Sequence, residues 1–160
     1  MVVHPIVEEV PNPPSAPQAF ELFKDRPFSF FLDSGMDPHG LGRYSFMGSD
    51  PFLVMRSRGN EIILLNADGE RVIRGNPFDV LGELLAEYRM DENPSALPFA
   101  GGAVGYLSYD LGHFIERLPS TAVDDLQLPE CYLAFYDAVV AFDHLEGRVY
   151  VAASGLPERG

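Results

Sequence analysis

The sequence predicts an α+β fold built mainly from antiparallel β-sheet, with a few helices flanking it. Three observations lead to this prediction. Short apolar segments rich in β-branched and aromatic residues recur along the chain, and turns containing glycine or proline separate them. Helical periodicity is clearest in the segment 76–92. The 160 residues are enough to bury about 68–70% of the surface of the unfolded chain around one core.

The predicted strands follow the apolar segments in order. They cover residues 27–35, 43–48, 52–59, 61–66, 70–75, 132–144 and 148–154. The aromatic segment 27–35 is expected to be buried. The Asp-Gly pair within 66–69 predicts a tight turn, because these residues tolerate the positive φ angles of short hairpin loops. Segment 132–144 is expected to form a single strand that pairs with 148–154 as a hairpin.

Two helices are predicted from their capping residues. Asn76 would cap the longer helix, and Pro77 would occupy its first position, where proline is favoured. The apolar stripe of this helix consists of Phe78, Leu81, Leu84, Leu85 and Tyr88. A short helix is expected after Ser15, with Phe20 and Phe23 on one side.

The chain is expected to contain one domain between two irregular ends. Residues 1–17 hold five of the 14 prolines and predict an extended arm. The domain itself is predicted to span residues 18–154, and the polar segment 118–129 within it is expected to be a loop. Residues 155–160 resemble the start of a linker.

Charge and composition exclude several functional classes. The net charge is −13 and the chain has only 11 lysines and arginines, so nucleic-acid binding, which needs clustered cations, is disfavoured. No apolar run reaches the length of a membrane span, and the first residues lack the pattern of a signal peptide. Cys131 is the single cysteine, which excludes an internal disulfide and favours the cytoplasm.

The segment 98–119, PFAGGAVGYLSYDLGHFIERLP, contains four glycines. It lacks the lysine of a phosphate-binding P-loop, and Ala100 stands where the first glycine of a dinucleotide fingerprint would be. We therefore expect a strand in which missing side chains admit a neighbouring backbone. The glycines expected to have this structural role are Gly101, Gly102 and Gly105.

The sequence contains fragments of three kinds of catalytic or metal site. Asp33 lies in a D-S-G sequence similar to the active-site turn of aspartic proteases, which would require a dimer with two such carboxylates. The alternative is a strand that ends in a polar turn. No two of the four histidines have metal-ligand spacing, and spacing alone supports no Ser-His-Asp set. No catalytic or metal-binding residues are therefore assigned within the chain.

Two segments resemble motifs of a known enzyme family. The segment 98–119 resembles the F-x-G-G-x-[VL]-G-x-x-x-Y-D-L motif of the large subunits of anthranilate synthase and aminodeoxychorismate synthase. The segment 31–51, FLDSGMDPHGLGRYSFMGSDP, resembles an earlier motif of the same family. The resemblance covers nearly all of residues 18–153 and implies the fold of the N-terminal domain of anthranilate synthase component I.

The resemblance implies an enzyme that uses chorismate and Mg²⁺. With ammonia from a glutamine amidotransferase partner, such an enzyme makes 4-amino-4-deoxychorismate or, in the sister branch, anthranilate. The family's chorismate and Mg²⁺ residues lie in a C-terminal domain that has no counterpart in this chain, so the chain alone is expected to be inactive. The sequences SYDLGHFIERLP and LGRYSFMGSDPF are more similar to the aminodeoxychorismate branch, whereas Asp33 replaces the glutamate common in the tryptophan branch.

The same resemblance implies an amino-acid pocket that holds tryptophan. The matching residues are Ser34, Leu41, Gly42, Arg43 and Tyr44. Polar backbone groups and a hydroxyl suit a zwitterion, and aromatic neighbours suit an indole ring. Two alternatives remain: Ser34 caps a turn while Arg43 pairs with a nearby carboxylate, or the chain is a standalone tryptophan-sensing domain without catalysis.

Overall fold

The computed structural model describes residues 4–34, 37, 39, 41–90, 97–119, 121 and 123–158. The chain divides into two compact units. The first unit comprises Met1–Phe52, Tyr88–Gly102 and Phe135–Gly160, and the second comprises Leu53–Glu87 and Ala103–Ala134.

The described residues form ten strands, two α-helices and one 3-10 helix. The strands are β1 (Ile6–Glu9), β2 (Phe30–Leu32), β3 (Tyr44–Gly48), β4 (Leu53–Arg58), β5 (Glu61–Asn66), β6 (Gly69–Arg74), β7 (Gly102–Leu107), β8 (Cys131–Tyr136), β9 (Ala138–Asp143) and β10 (Arg148–Ala153). The helices are α1 (Ala16–Phe20), α2 (Pro77–Glu87) and the 3-10 helix Tyr109–Phe114. The predicted α+β class is confirmed. None of the described helices is long and apolar enough to cross a membrane.

The first sheet has the strand order β1-β10-β9-β3-β2, and its strand pairs are antiparallel. Strand β1 adds part of the proline-rich arm to the sheet edge, with Ile6 opposite Ala153. Strands β9 and β10 form the predicted hairpin. Strand β3 lies between β2 and β9, so its side chains can contact residues from both neighbours.

The second sheet has the order β6-β5-β4-β8-β7. Strands β4, β5 and β6 are antiparallel neighbours, and the pairing of β5 with β6 is the one predicted from the turn between them. The Asn66 side chain accepts a hydrogen bond from the Asp68 backbone N–H (3.0 Å), which closes the predicted turn between β5 and β6. The described residues of 118–129 form no strand or helix, so the predicted loop is found there.

The prediction of one strand over 132–144 is wrong. The segment forms β8 and β9, which belong to different sheets and are separated at Asp137. The Asp137 carbonyl accepts a hydrogen bond from the Ser154 N–H (2.7 Å) instead of joining a regular ladder. Apolar residues continue through both strands, so hydrophobic periodicity gives no sign of the break.

The core of the first unit lies on one face of the first sheet. Met47 of β3 is fully buried among residues of α1, β9 and β10. This cluster contains Ala16, Ala19, Met47, Phe142 and Val149, and half-buried side chains such as Phe20 and Phe31 pack against it. Helix α1 begins at the predicted cap, where the Gln18 side chain accepts hydrogen bonds from Ser15 N and Oγ.

Helix α2 also begins as predicted, because the Asn76 side chain accepts a hydrogen bond from Phe78 N (2.9 Å). The helix ends at Glu87, five residues before the predicted end at 92. Of the predicted apolar stripe, Leu84 is buried, whereas Leu85 is 49% exposed. The aromatic segment 27–35 is also less buried than predicted, since Leu32 is 49% exposed.

The glycine segment forms a strand, as expected, and continues into the 3-10 helix. A Cβ atom added at Gly105 would lie 1.9 Å from the Tyr132 carbonyl oxygen, so only glycine admits this neighbouring backbone. A Cβ at Gly101 would lie 3.0 Å from the Tyr136 carbonyl oxygen, and φ is +131°. At Gly102 the nearest atom is a Phe99 ring carbon at 3.4 Å, and the positive φ of +127° is the main restriction.

Candidate functional site

The end of β2 and the start of β3 bring the predicted site residues together. Leu32 pairs with Phe46 in this antiparallel ladder. Continuing the same register places Asp33 opposite Ser45 and Ser34 opposite Tyr44. Residues that are ten or more positions apart in the sequence are therefore neighbours at one end of the sheet.

Gly42 closes the connection between β2 and β3. Its backbone N–H donates to the Asp37 carbonyl oxygen (3.0 Å). A Cβ atom at this position would lie 2.3 Å from the Ser34 carbonyl oxygen and 2.8 Å from the Asp37 oxygen. The absent side chain thus lets the backbone of Ser34 pass directly beside that of Gly42. Leu41, the preceding residue, is fully exposed.

Ser45 lies fully buried at the centre of a polar cluster. Its hydroxyl oxygen accepts a hydrogen bond from the Ser34 backbone N–H (3.0 Å). The same hydroxyl donates to Asp33 Oδ1 (2.9 Å) and lies 2.7 Å from His144 Nε2. We call these four residues, Asp33, Ser34, Ser45 and His144, the Ser45 cluster.

The positions of the protons in the Ser45 cluster can be deduced from its hydrogen-bond donors and acceptors. A carboxylate only accepts hydrogen bonds, so the single hydroxyl proton of Ser45 points to Asp33. The two lone pairs of Ser45 then accept from Ser34 N–H and from His144, which must hold a proton on Nε2. Every hydrogen-bonding position of the hydroxyl is used.

The Ser45 cluster therefore differs from a catalytic triad, although it contains Ser, His and Asp. In a triad the carboxylate bonds the histidine and the histidine accepts the serine proton. Here the carboxylate of Asp33 accepts the hydroxyl proton of Ser45, and His144 donates to the Ser45 oxygen. The buried Ser45 hydroxyl fixes structure and is not activated as a nucleophile. Asp33 directly follows β2, and its carboxylate accepts the hydrogen bond from Ser45.

A second polar contact joins the start of β3 to the end of β9. The Arg43 guanidinium donates from Nε to Asp143 Oδ1 (3.0 Å) and from Nη2 to Asp143 Oδ2 (2.6 Å). The Asp143 carboxylate also accepts the backbone N–H groups of Leu145 and Glu146, both at 3.1 Å. Its side chain is 5% exposed. The hydrogen bond from Arg43 holds the pKa of the Asp143 carboxyl below its ordinary value.

Replacing Asp143 by asparagine is expected to lower the melting temperature by a few degrees at neutral pH. Because the folded-state pKa of Asp143 is depressed, its ionised form stabilises the fold fully above the unfolded pKa of about 3.9. That contribution is lost as the pH falls through the lower folded-state pKa. Thermal melts from about pH 7 down to about pH 2.5, which is below the unfolded-state pKa of an aspartate, should show the two proteins converging at acid pH. The exposed Asp125, changed to asparagine, is the matched control; an equal pH dependence in both variants would contradict the role of Asp143.

Aromatic side chains lie on the other face of β3 from Ser45 and Met47. The Tyr44 and Phe46 rings stack at 6.0 Å, and the Phe99 ring meets Phe46 edge-on at 5.6 Å. All three side chains are half-buried. The Arg43 guanidinium lies 4.9 Å from the centre of the Tyr44 ring. An apolar surface therefore adjoins the polar backbone of Ser34 and Arg43.

The structure brings together four of the five predicted amino-acid-binding residues and pairs one of them with a carboxylate. Ser34, Gly42, Arg43 and Tyr44 lie at one end of the first sheet, and the exposed Leu41 directly precedes Gly42. The Arg43 side chain is bound to Asp143, which is the carboxylate pairing that the sequence left open. Sequence reasoning missed Asp143, Ser45 and His144; the polar residues at the end of an apolar strand in AVVAFDH were the only signal.

A cleft of about 550 Å³ lies on the side of the sheet that contains Ser45. Asp33 and His144 line it together with prolines of the arm and residues of the β9–β10 turn. The part of the chain that the structure describes contains no group of three His, Cys, Asp or Glu side chains able to hold a metal ion. Burial raises the pKa of the Cys131 thiol to about 11, so this cysteine is not a ready nucleophile.

Most of the chain is similar in sequence to known proteins. No protein-family model matches the chain. Anthranilate synthase component 1 of Acetivibrio thermocellus is 35% identical over 133 residues, which are 82% of this chain and 27% of that protein. Aminodeoxychorismate synthase component 1 of Salmonella typhimurium is 32% identical over 134 residues, 83% of this chain and 30% of that protein. The chain is therefore similar to part of component 1 of both synthases.

A solved structure agrees with these relatives. The crystal structure of anthranilate synthase component I from Streptococcus pneumoniae TIGR4 superposes with a TM-score of 0.62 and 26% identity. The match covers 74% of this chain and 26% of that protein. The chain therefore spans less than a third of the length of these relatives. The relatives support the chorismate-utilising family that the two motifs predict, and both branches of it match at similar identity.

Proposed function

We propose that this chain is the amino-acid-binding and structural domain of component 1 of aminodeoxychorismate synthase. The complete enzyme aminates chorismate to 4-amino-4-deoxychorismate, a precursor of para-aminobenzoate and folate. The observation that supports this most is that the two family motifs occur in order within a region homologous to component 1 proteins. The choice of branch is supported by the similarity of the segments SYDLGHFIERLP and LGRYSFMGSDPF to that branch.

The catalytic chemistry is proposed to lie outside these residues. Chorismate and Mg²⁺ would bind to a further domain, and a glutamine amidotransferase subunit would supply ammonia. The proposal assigns no Mg²⁺ ligand to this chain, whose described residues contain no group of three His, Cys, Asp or Glu side chains able to hold a metal ion. The chain alone is expected to have no turnover, and the complete enzyme is proposed to act in the cytoplasm.

The amino-acid site is proposed at the connection between β2 and β3. Ser34 and the backbone of Gly42 and Arg43 would bind the ammonium and carboxylate groups of tryptophan. The rings of Tyr44 and Phe46 would contact the indole, as aromatic side chains commonly do in ligand sites. The Arg43 guanidinium contributes indirectly, because Asp143 already holds it.

Anthranilate synthase component 1 is the second candidate for the complete enzyme. The 35% identity to the Acetivibrio thermocellus protein favours it. The resemblance assigns the same fold and the same amino-acid pocket to both candidates, so the identity of the product distinguishes them.

Product analysis tests the proposal. The complete natural gene product is incubated with chorismate, ammonia and Mg²⁺, and the products are separated by chromatography and identified by mass. We expect 4-amino-4-deoxychorismate; accumulation of fluorescent anthranilate would instead assign the chain to the second candidate. A gene product that binds tryptophan and leaves chorismate unchanged would contradict both and favour a tryptophan-sensing domain. Residues 1–160 alone serve as the control and should leave chorismate unchanged.

A further inference from the structure

We infer that Ser45, Asp143 and His144 are positioning residues of the proposed amino-acid site. They hold the backbone of Ser34 and Arg43 from the sheet interior without touching the ligand themselves. The inference rests on the proposed amino-acid site at the β2–β3 connection. It adds Ser45 of β3, Asp143 at the end of β9 and His144, which directly follows β9.

Ser34 is held by a single buried atom. Its N–H donates to Ser45 Oγ, and Ser45 has no exposed surface. Strand β3, which contains Ser45, is paired on both sides, with β2 and with β9. The direction of the Ser34 peptide is therefore set by the centre of the sheet, where side chains have little freedom to move.

Arg43 is held at two points by the end of β9. Its guanidinium forms the two-pronged contact with Asp143, and its carbonyl oxygen accepts the His144 backbone N–H (2.8 Å). A planar guanidinium bound through two nitrogens has a fixed orientation. Arg43 is thus fixed in place before any ligand arrives.

His144 joins the two halves of the site. Its backbone N–H binds Arg43, and its Nε2–H donates to Ser45, which in turn binds Ser34. The histidine must supply a proton to Ser45, because the hydroxyl proton is committed to Asp33. His144, which does not contact the proposed ligand, therefore connects Ser34 with Arg43.

This arrangement affects the two ends of a tryptophan ligand differently. The Ser45 cluster orients the backbone groups proposed to bind the ammonium and carboxylate. The indole would contact Tyr44 and Phe46, which lie on the opposite face of β3 and are packed independently of Ser45. Loss of the cluster should weaken binding of tryptophan and leave binding of indole, which lacks the charged groups, nearly unchanged.

The test compares tryptophan and indole as probes. The chain has no tryptophan residue, so the fluorescence of either probe reports its own binding. Ser45→Ala is expected to weaken tryptophan binding at least about tenfold and indole binding less than about twofold. His144→Leu, which removes the donor at a half-buried position, should act in the same way. His144→Gln retains a side-chain N–H donor and should restore tryptophan binding to within about threefold of the unsubstituted chain.

The outcomes separate this inference from the proposed site. Each titration is made well below the melting temperature, which is recorded for every variant. Equal weakening of both probes, or no weakening of tryptophan binding in either Ser45→Ala or His144→Leu, would overturn the positioning role while the site remains. If Ser45→Ala does not fold, the comparison of His144→Leu with His144→Gln tests the positioning role instead. Absence of tryptophan binding by the unsubstituted chain would overturn the site itself and the inference with it.

Discussion

Gly105→Ala is expected to destabilise the protein by at least about 3 kcal/mol, at the upper end of the range for overpacking. The added Cβ would lie 1.9 Å from the Tyr132 carbonyl oxygen and 2.9 Å from the Leu133 Cα. Both atoms belong to the backbone of β8, so no side-chain rotation can relieve the contact. Strand β7 would have to separate from β8. Urea denaturation followed by circular dichroism measures the effect.

Gly82→Ala is the matched control for that substitution. Gly82 lies in helix α2, is exposed, and has no atom within 4 Å of an added Cβ. Alanine should stabilise the helix there by about 1 kcal/mol, since glycine is a poor helix former. If Gly105→Ala retains the stability of the unsubstituted protein, the close approach of β7 and β8 at Gly105 is refuted.

Gly42→Ala is expected to weaken tryptophan binding at least about tenfold and to lower stability by about 1–3 kcal/mol. The new methyl group would lie 2.3 Å from the Ser34 carbonyl oxygen, so the two backbone segments of the proposed site must move apart. The displacement separates groups that we propose bind the same ligand. Probe fluorescence and a thermal melt measure the two effects.

Gly75→Ala controls for loss of a glycine outside the site. A Cβ at Gly75 would have no atom within 4 Å, and its N–H bond to the Asn60 carbonyl oxygen (2.9 Å) can remain. This variant should bind tryptophan as the unsubstituted chain does. Normal tryptophan binding by Gly42→Ala would show that the ligand site does not depend on the close packing of Ser34 and Gly42.

Local sequence patterns predict most of the secondary structure. The strands at 43–48, 52–59 and 61–66 and the start of α2 follow alternation, turn residues and capping, which are local properties. The break between β8 and β9 was not predictable in this way. Residues on both sides of Asp137 are apolar, and the assignment of each half to a different sheet depends on long-range pairing.

Only part of the candidate site was predicted, because the rest also depends on long-range strand pairing. Ser34 and residues 41–44 were found through a resemblance, and the hairpin register then places them together. Ser45 and His144 are 99 residues apart in the sequence, and Arg43 and Asp143 are 100 apart. No spacing rule connects residues at such separations; strand pairing between β3 and β9 does so. For the same reason, the carboxylate partner of Arg43 could not be named from the sequence.

The most direct test of the proposed amino-acid site is a fluorescence titration of tryptophan with the chain of residues 1–160. Because the chain has no tryptophan of its own, light that excites indole alone reports only the ligand. We predict a saturable rise in anisotropy and a shift of the emission to shorter wavelength, with half-saturation below about 1 mM. Emission and anisotropy identical to those of free tryptophan at every protein concentration would contradict the presence of the site.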